Sequence, residues 1–403
     1  MSDMPYDPWS AAFVADPYPA FAELRAERPV FFHEPTGQWV VSRYADVDAL
    51  LRDRRLGRSY LHVASHEEFG QEPEAEFLRP FWDLIRAGML DVEPPEHTRL
   101  RRLVSKAFTA RMVEGLRPMI RRLAEELAGG LADRGGGDLL AEVAEPLPVN
   151  VIAEMLGVPV EDRPLLRPWS ADICGMYELN PPEEAQRTAV RAAVEFSDYL
   201  RGLARSRRDD PRDDLISALA QVVDEGGDRL TEDELIGTCV LLLNAGHEAT
   251  VNATGNGWWA LFRNPGELDR LRGDHSLVPT AAEELMRYDT PAPMFERWVL
   301  EDIRVGDVDI PRGAEVALQF ASANRDPEVF ADPDRLDLGR DPNPHITFGL
   351  GVHYCLGAPL ARIELAESYG ALLRLAPGMR LTRDPEWKPG YVLRGLQGLQ
   401  VEI

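Results

Sequence analysis

Phe348-Gly349-Leu350-Gly351-Val352-His353-Tyr354-Cys355-Leu356-Gly357 is the stretch on which the reading of this chain turns. It sets one cysteine in a glycine-rich loop just before a segment of helical period, Pro359 to Leu375. Backbone amides and the positive end of the helix dipole favour a thiolate over a thiol at such a place. A thiolate is a soft metal ligand. Gly349 and Gly351 let the loop backbone approach whatever the sulfur binds, and Gly357 removes a side chain where the helix must come close. Phe348 packs beside the loop. A nucleophilic cysteine paired with a distant histidine is the competing use of such a thiol, but flanking glycines suit a ligand better. Cys174 and Cys239 read as small buried hydrophobes, and three scattered cysteines make neither a disulfide framework nor a zinc site.

Outward from the loop, most of the chain has helical period. Pro95 to Phe108, Ala110 to Ala132, Pro146 to Leu156, Pro182 to Arg205 and Asp214 to Asp224 carry apolar residues three and four apart. Residues 38 to 50 predict a short strand running into a helix near Tyr44, and two further β segments are expected at Arg297 to Val308 and Leu393 to Ile403. The longest helix is expected from Thr231 to Phe262, where Thr231 and Glu234 form a capping box and no proline intervenes. Its middle, Leu241 to Thr254, is apolar on nearly every face yet holds Asn244, Gly246, His247, Glu248 and Thr250. The fold class is therefore mainly α with minor β. Without repeats or flexible linkers, residues 1–403 read as a single domain.

Composition narrows the function. A formal net charge of -24 repels nucleic acid and anionic lipid. No stretch approaches the roughly 20 apolar residues of a membrane span, and the N-terminus lacks the basic and apolar regions of a secretory signal. A cytoplasmic protein is expected.

The Cys355 loop resembles the haem-binding loop of the cytochromes P-450, Phe-Gly-x-Gly-x-His-x-Cys-x-Gly, at every fixed position. The resemblance implies that Cys355 ligates the iron of haem b (iron protoporphyrin IX) and that Phe348, Gly349, His353 and Gly357 form the cradle. The family's Glu-x-x-Arg pair is matched by Glu284 and Arg287, which are three apart and share a helix face. It implies a third arginine completing that pair, either Arg335 or Arg340. His97 and Arg101 match the family's propionate-binding segment, with Arg297 and His353 completing the set. Likeness runs from Asp16-Pro17-Tyr18-Pro19 to Arg394-Gly395-Leu396. It implies a single-domain triangular helical prism, with haem between the long helix and the cysteine loop.

The activity so implied is oxygen activation, because a thiolate axial ligand favours O–O cleavage over reversible O2 binding. The family's distal motif, Ala-Gly-x-Glu/Asp-Thr, here reads Ala245-Gly246-His247-Glu248-Ala249-Thr250. The glycine is expected to loosen the helix and the acid to relay protons. Ala249 departs from the family threonine, and Thr250, rotated by roughly 100° around the helix, cannot simply replace it. A substrate hydroxyl or an ordered water is expected to fill the gap. The pocket implied by family position comprises Met89, Leu90, the 173 to 196 helices, Leu243, Ala245, Ala249, Ala292, Met294, Phe295 and Leu396, an apolar set from which a hydrophobic small molecule such as a polyketide or other secondary metabolite is expected. No dinucleotide loop or cysteine cluster is present, so electrons are expected from a ferredoxin and its reductase. Arg99, Arg102, Lys106, Arg111 and Arg362 are the expected docking cations. A peroxide-driven peroxygenase and a non-catalytic haem-thiolate sensor are the alternatives; the former's usual Arg-Pro pair is missing from the distal motif.

Overall fold

The structure, a computed structural model, describes residues 5–223 and 226–403. The chain forms two compact units. One comprises the residues up to Gly57, Ile120–Leu147 and Ala249–Ile403; the other comprises Arg58–Met119 and Pro148–Glu248.

The first unit holds a five-stranded sheet in the order Val30–His33, Gln38–Val41, Glu315–Gln319, Met294–Val299, Leu56–Gly57. Neighbours are antiparallel except Gln38–Val41 and Glu315–Gln319, which run parallel with Trp39 opposite Val316. Period-two alternation turns Val316 and Leu318 onto a core shared with Val47, Leu50 and Leu51 of the helix Tyr44–Arg52. Burying each such aliphatic side chain contributes about 1.5–3 kcal/mol. The β segment expected at Arg297 to Val308 is three strands, Met294–Val299, Ile303–Val305 and Val308–Ile310, the last two joined by a turn with Gly306 at φ +57°. The segment expected from Leu393 onward is a strand only at Gln400–Glu402, between Gly136–Asp138 and Arg380–Leu381. Leu396 makes only an isolated antiparallel bridge with Trp387, and it and Leu399 are buried from a loop. Arg394 anchors that loop, stacking on Trp387 at 3.7 Å and donating to the carbonyl oxygens of Val14 and Ala15.

The second unit contains the helices Glu96–Ala107, Leu166–Cys174, Glu183–Asp209 and Leu215–Gln221. Trp169 stacks on Phe196, with ring centres 5.2 Å apart, to join the second of these to the third. The helix expected over 214–224 starts where the Asp214 carboxylate accepts the Ser217 amide hydrogen bond (2.7 Å), and Asp224 lies outside the described residues.

The long helix is Glu232–Arg263, 32 residues, and it begins in the second unit and ends in the first. Its capping box is formed as the residue types dictate: Glu234 N donates to Thr231 Oγ1 (3.2 Å) and Thr231 N donates to Glu234 Oε2 (2.7 Å). Among the described residues no helix is long and apolar enough to cross a membrane.

Candidate active site

Cys355 is half-buried, three residues before the helix Ala358–Leu375. Its amide donates to the Phe348 carbonyl oxygen (3.0 Å), closing the loop on itself. Gly349 and Gly351 have φ of +65° and +72°, the left-handed region open to glycine. A Cβ on Gly351 would lie 2.3 Å from the Leu51 carbonyl oxygen, so the sequence at that position is dictated by contact as well as by conformation. Phe348 carries the Arg362 guanidinium over its ring at 4.5 Å, and Arg362 also grips Glu283 through two hydrogen bonds of 2.7 and 3.0 Å. Desolvation pushes the Glu283 pKa up, but hydrogen bonds from His345 and Arg362 outweigh it and hold the carboxyl at about 2. His353 is half-buried in the one-turn helix Gly351–His353.

The loop is tied to the helix Val278–Tyr288 by a buried polar core. Glu284 and Arg287 are each 0% exposed and bonded twice, at 2.7 and 2.8 Å. The third arginine is Arg340, whose Nε reaches both Glu284 oxygens at 3.1 and 3.2 Å. Arg335 instead turns outward to Asp337. Arg287 also donates to the Asn324 carbonyl oxygen (2.8 Å), while the Asn324 side chain accepts from Ile346 N (2.8 Å) and donates to Thr347 Oγ1 (3.0 Å). Asn324 thus transmits the position of the ion-pair core to the residues that lead into the cysteine loop. Sequence reading overlooked it, although a polar residue ending the buried run Phe320-Ala321-Ser322-Ala323 is a visible signal.

At the middle of the long helix, otherwise mostly buried, Ala245 is exposed and Leu241, Leu242, Glu248 and Ala249 are half-buried. A residue of a buried helix keeps accessible surface only where open space adjoins it, so Ala245 and Ala249, four apart, mark a wall. Thr250 is buried off that stripe. The helix is continuous through Gly246. A Cβ there would lie 2.5 Å from Ile152 Cδ1, so the glycine serves close packing. Gly237 and Gly88 are a second such approach, a Cβ on Gly237 lying 2.8 Å from Gly88 N, and they set the backbone that leads into Met89 and Leu90.

Of the expected pocket residues, Leu90, Ala292 and Phe295 keep accessible surface, whereas Met89, Leu243, Met294 and Leu396 are closed into the packing. Met294 points toward the Tyr6 hydroxyl, with Sδ 4.0 Å from its oxygen, and Phe295 stacks on Phe320 at 5.6 Å. Within the strand Met294–Val299, alternation turns Met294 and Phe295 to opposite faces. Arg297 is buried in that strand and donates to the Glu296 carbonyl oxygen (2.7 Å). In the other unit, His97 is buried in the first turn of Glu96–Ala107 and Arg101 is half-buried one turn later.

A family model described as Cytochrome P450 matches residues 169–375. Cytochrome P450 107B1 of Saccharopolyspora erythraea is 41% identical over 396 residues, covering 97% of this chain and 96% of that protein. The chain belongs to the cytochrome P450 family. The polyketide biosynthesis cytochrome P450 PksS of Bacillus subtilis is 37% identical to this P450, with 100% of both chains covered. The solved P450BioI, in complex with an acyl carrier protein ligated to hexadec-9Z-enoic acid, superposes with a TM-score of 0.90 at 34% identity, covering 98% of this chain and 100% of that one. The protein is thus a bacterial-type P450 monooxygenase, an oxidoreductase, with the mainly helical P450 fold. Its family implies haem, and the donor set fits: a half-buried thiol near a helix start, in a loop whose glycines leave no side chain in the way.

Arg99 and Arg362, both expected to dock a redox partner, are held in ion pairs within this P450. Arg99 pairs with Glu96 at 2.8 Å and with Glu234, and Arg362 is held by Glu283. Arg102, Lys106 and Arg111 are exposed.

Glu364, in the helix that follows the cysteine loop, is 1% exposed. Neither its Oε1 nor the Ser368 Oγ one turn on has a hydrogen-bond partner among the described residues. Burial raises the Glu364 pKa to about 8, so the folded protein holds a proton there that the unfolded chain releases above about 4.5. Folded protein therefore loses stability as pH rises through that window, by about 1.4 kcal/mol per unit at most. Glu364→Gln is expected to remove the slope and to exceed wild type by roughly 3 kcal/mol at neutral pH. Urea midpoints at pH 5 and pH 8 test this, and equal slopes for the two proteins would refute it.

Proposed function

We propose that this P450 inserts one atom of O2, by hydroxylation or epoxidation, into a hydrophobic small molecule of secondary metabolism. Residues 1–403 act as a single catalytic domain in the cytoplasm, with haem b as cofactor and electrons from a ferredoxin and its reductase. The observation that carries this reading is the Cys355 thiol in its glycine loop, braced through Asn324 by the buried Glu284, Arg287 and Arg340 core. When bound, the thiolate-ligated haem supplies the oxygen-activating chemistry.

Within that reading Cys355 is the iron ligand, and His97, Arg101, Arg297 and His353 neutralise the propionates. Glu248 and Ala249 lie on the accessible stripe of the long helix, and Glu248 hands protons inward. Ala249 offers no hydroxyl, so a substrate hydroxyl or an ordered water completes the relay. Exposed Arg102, Lys106 and Arg111 remain candidates for steering an acidic ferredoxin. The naming of a relative for polyketide biosynthesis supports a secondary metabolite as substrate.

The test uses holoenzyme with a surrogate ferredoxin, its reductase, NADPH and 18O2, screened over hydrophobic compounds. One labelled oxygen in the product and NADPH-dependent O2 uptake are expected; turnover sustained by peroxide alone would overturn the monooxygenase reading. In the same assay Ala249→Thr is expected to lower peroxide leakage with substrates that lack a hydroxyl. Unchanged leakage would rule out the substituted relay.

A further inference from the structure

A pocket of about 770 Å³ opens where the long helix ends, entirely within the first unit, and it shares no residue with the site around Cys355. Its volume falls in the range of roughly 300–1,000 Å³ usual for small-molecule sites. Arg263, one of its residues, is the last of the long helix, and Ala249 lies roughly four turns, or about 21 Å, back along the axis. The pocket is therefore separate from the wall that Ala245 and Ala249 mark.

Its construction follows from Pro265. The proline ends one helix and, as a favoured first-turn residue, begins the next, Pro265–Gly273, so the last turn of the long helix and Arg272 come to line one hollow. Arg272 donates to the Met379 carbonyl oxygen (2.6 Å), which ties that second helix to the segment leading into the strand Arg380–Leu381, the remaining wall. Buried Leu268 and Met379 complete the lining on the core side.

Two features of the lining suit a ligand better than packing. Trp259 and Phe262 keep accessible surface in the hollow, although Trp258, whose ring centre is 5.6 Å from that of Phe262, shows that the same helix can take an indole fully into the core. Charge is the second feature. On a chain of formal net charge -24, three guanidiniums, those of Arg263, Arg272 and Arg380, meet one carboxylate, Asp384. Arg263 lies over the Trp259 ring at 5.4 Å and makes no ion pair among the described residues. Arg272 pairs with Asp269 (3.4 Å) and Arg380 with Glu402 (2.7 Å), but those carboxylates have side chains 74% and 49% exposed, and such surface pairs exchange at little cost. The negative charge of the rest of the chain is screened beyond about 8 Å at physiological ionic strength, so the lining decides which ion enters.

We propose that this hollow is a second ligand site, which takes a small organic anion with a flat apolar body. The Arg263 and Arg272 guanidiniums hold the head group, and Trp259 and Phe262 cover the ring system. Guanidinium forks match planar oxyanions, and aromatic faces match a flat hydrocarbon; an inorganic anion uses only the first feature and a neutral hydrocarbon only the second. Asp384 subtracts from the positive field, which suits a singly charged carboxylate better than a dianion. The site does not depend on the monooxygenase reading.

Calorimetric titration of holoenzyme with naphthalene-2-carboxylate tests it, with the iron capped by excess 4-phenylimidazole so that the haem pocket is already filled. One site is expected, with 2-naphthalenemethanol bound at least about tenfold more weakly and sodium sulfate failing to compete at the same concentration. Arg263→Glu is expected to weaken the carboxylate at least about tenfold, and Arg263→Gln repeats the test without an added acid. Arg191→Glu, the same charge change at an exposed residue of the other unit, is expected to stay within about twofold of wild type. Absence of carboxylate binding in wild type, an alcohol or a sulfate bound as tightly as the acid, or equal losses in Arg263→Glu and Arg191→Glu would each overturn the site.

Discussion

Cys355→Ser is expected to lower turnover by more than about two orders of magnitude, since changes to groups that only support a metal ligand already cost 10–100-fold. The reduced, carbon-monoxide-treated protein is expected to lose the far-red-shifted Soret band that reports an anionic sulfur on the iron. Both readouts are needed, because activity alone falls for many reasons. The loop should survive the change. Its closing bond uses the Cys355 backbone amide, and its corners are held by Gly349, Gly351 and the Arg362 clamp, none of which involves the sulfur. A folded, pigment-bearing serine variant that retained the band would sink the assignment of Cys355 as ligand.

Glu284→Ala is expected to destabilise the protein by roughly 3–5 kcal/mol, the usual result of removing one partner from a buried ion pair. The carboxylate is the centre of its network, accepting from Arg287, Arg340, Asn343 and the Asp337 amide. Without it Arg287 and Arg340 keep only backbone carbonyl partners and lose the carboxylate that balances their charge. Because Asn324 couples that core to Ile346 and Thr347, the loss should reach the cysteine loop and appear as poor haem loading as well as a lower urea midpoint. Arg335→Ala serves as the comparison. Arg335 has a side chain 67% exposed and a surface partner in Asp337, so a change of at most about 1 kcal/mol is expected. Similar losses in both variants would contradict the buried-core account.

The parts of the molecule legible in the sequence are those written in local chemistry. The capping box at Thr231 and Glu234 placed the start of the long helix, and glycine spacing placed the Cys355 loop, because both depend on residues within a few positions of each other. Arg335 and Arg340 flank the same short segment, and only the folded path of residues 331–340 sends one inward and the other out. The β segment expected over 393–403 is shorter for the same reason, a strand only at Gln400–Glu402 with an isolated bridge from Leu396 to Trp387. Met294 and Phe295 were both expected in the pocket on family position, and only the pleat shows that Met294 turns toward Tyr6 while Phe295 keeps accessible surface.

Bracing of the cysteine loop from two directions limits how its redox behaviour can be engineered. Thr347 Oγ1 donates to the Met286 carbonyl oxygen (3.1 Å) on one side, and Arg362 holds Glu283 on the other, both on the helix Val278–Tyr288. Were haem held by Cys355, substitutions around this collar would be expected to act on its potential through charge and hydrogen bonding at the sulfur. On that reading, electrochemical tuning would turn on the field at position 355, and libraries that relax the collar would lose cofactor retention before they gained driving force.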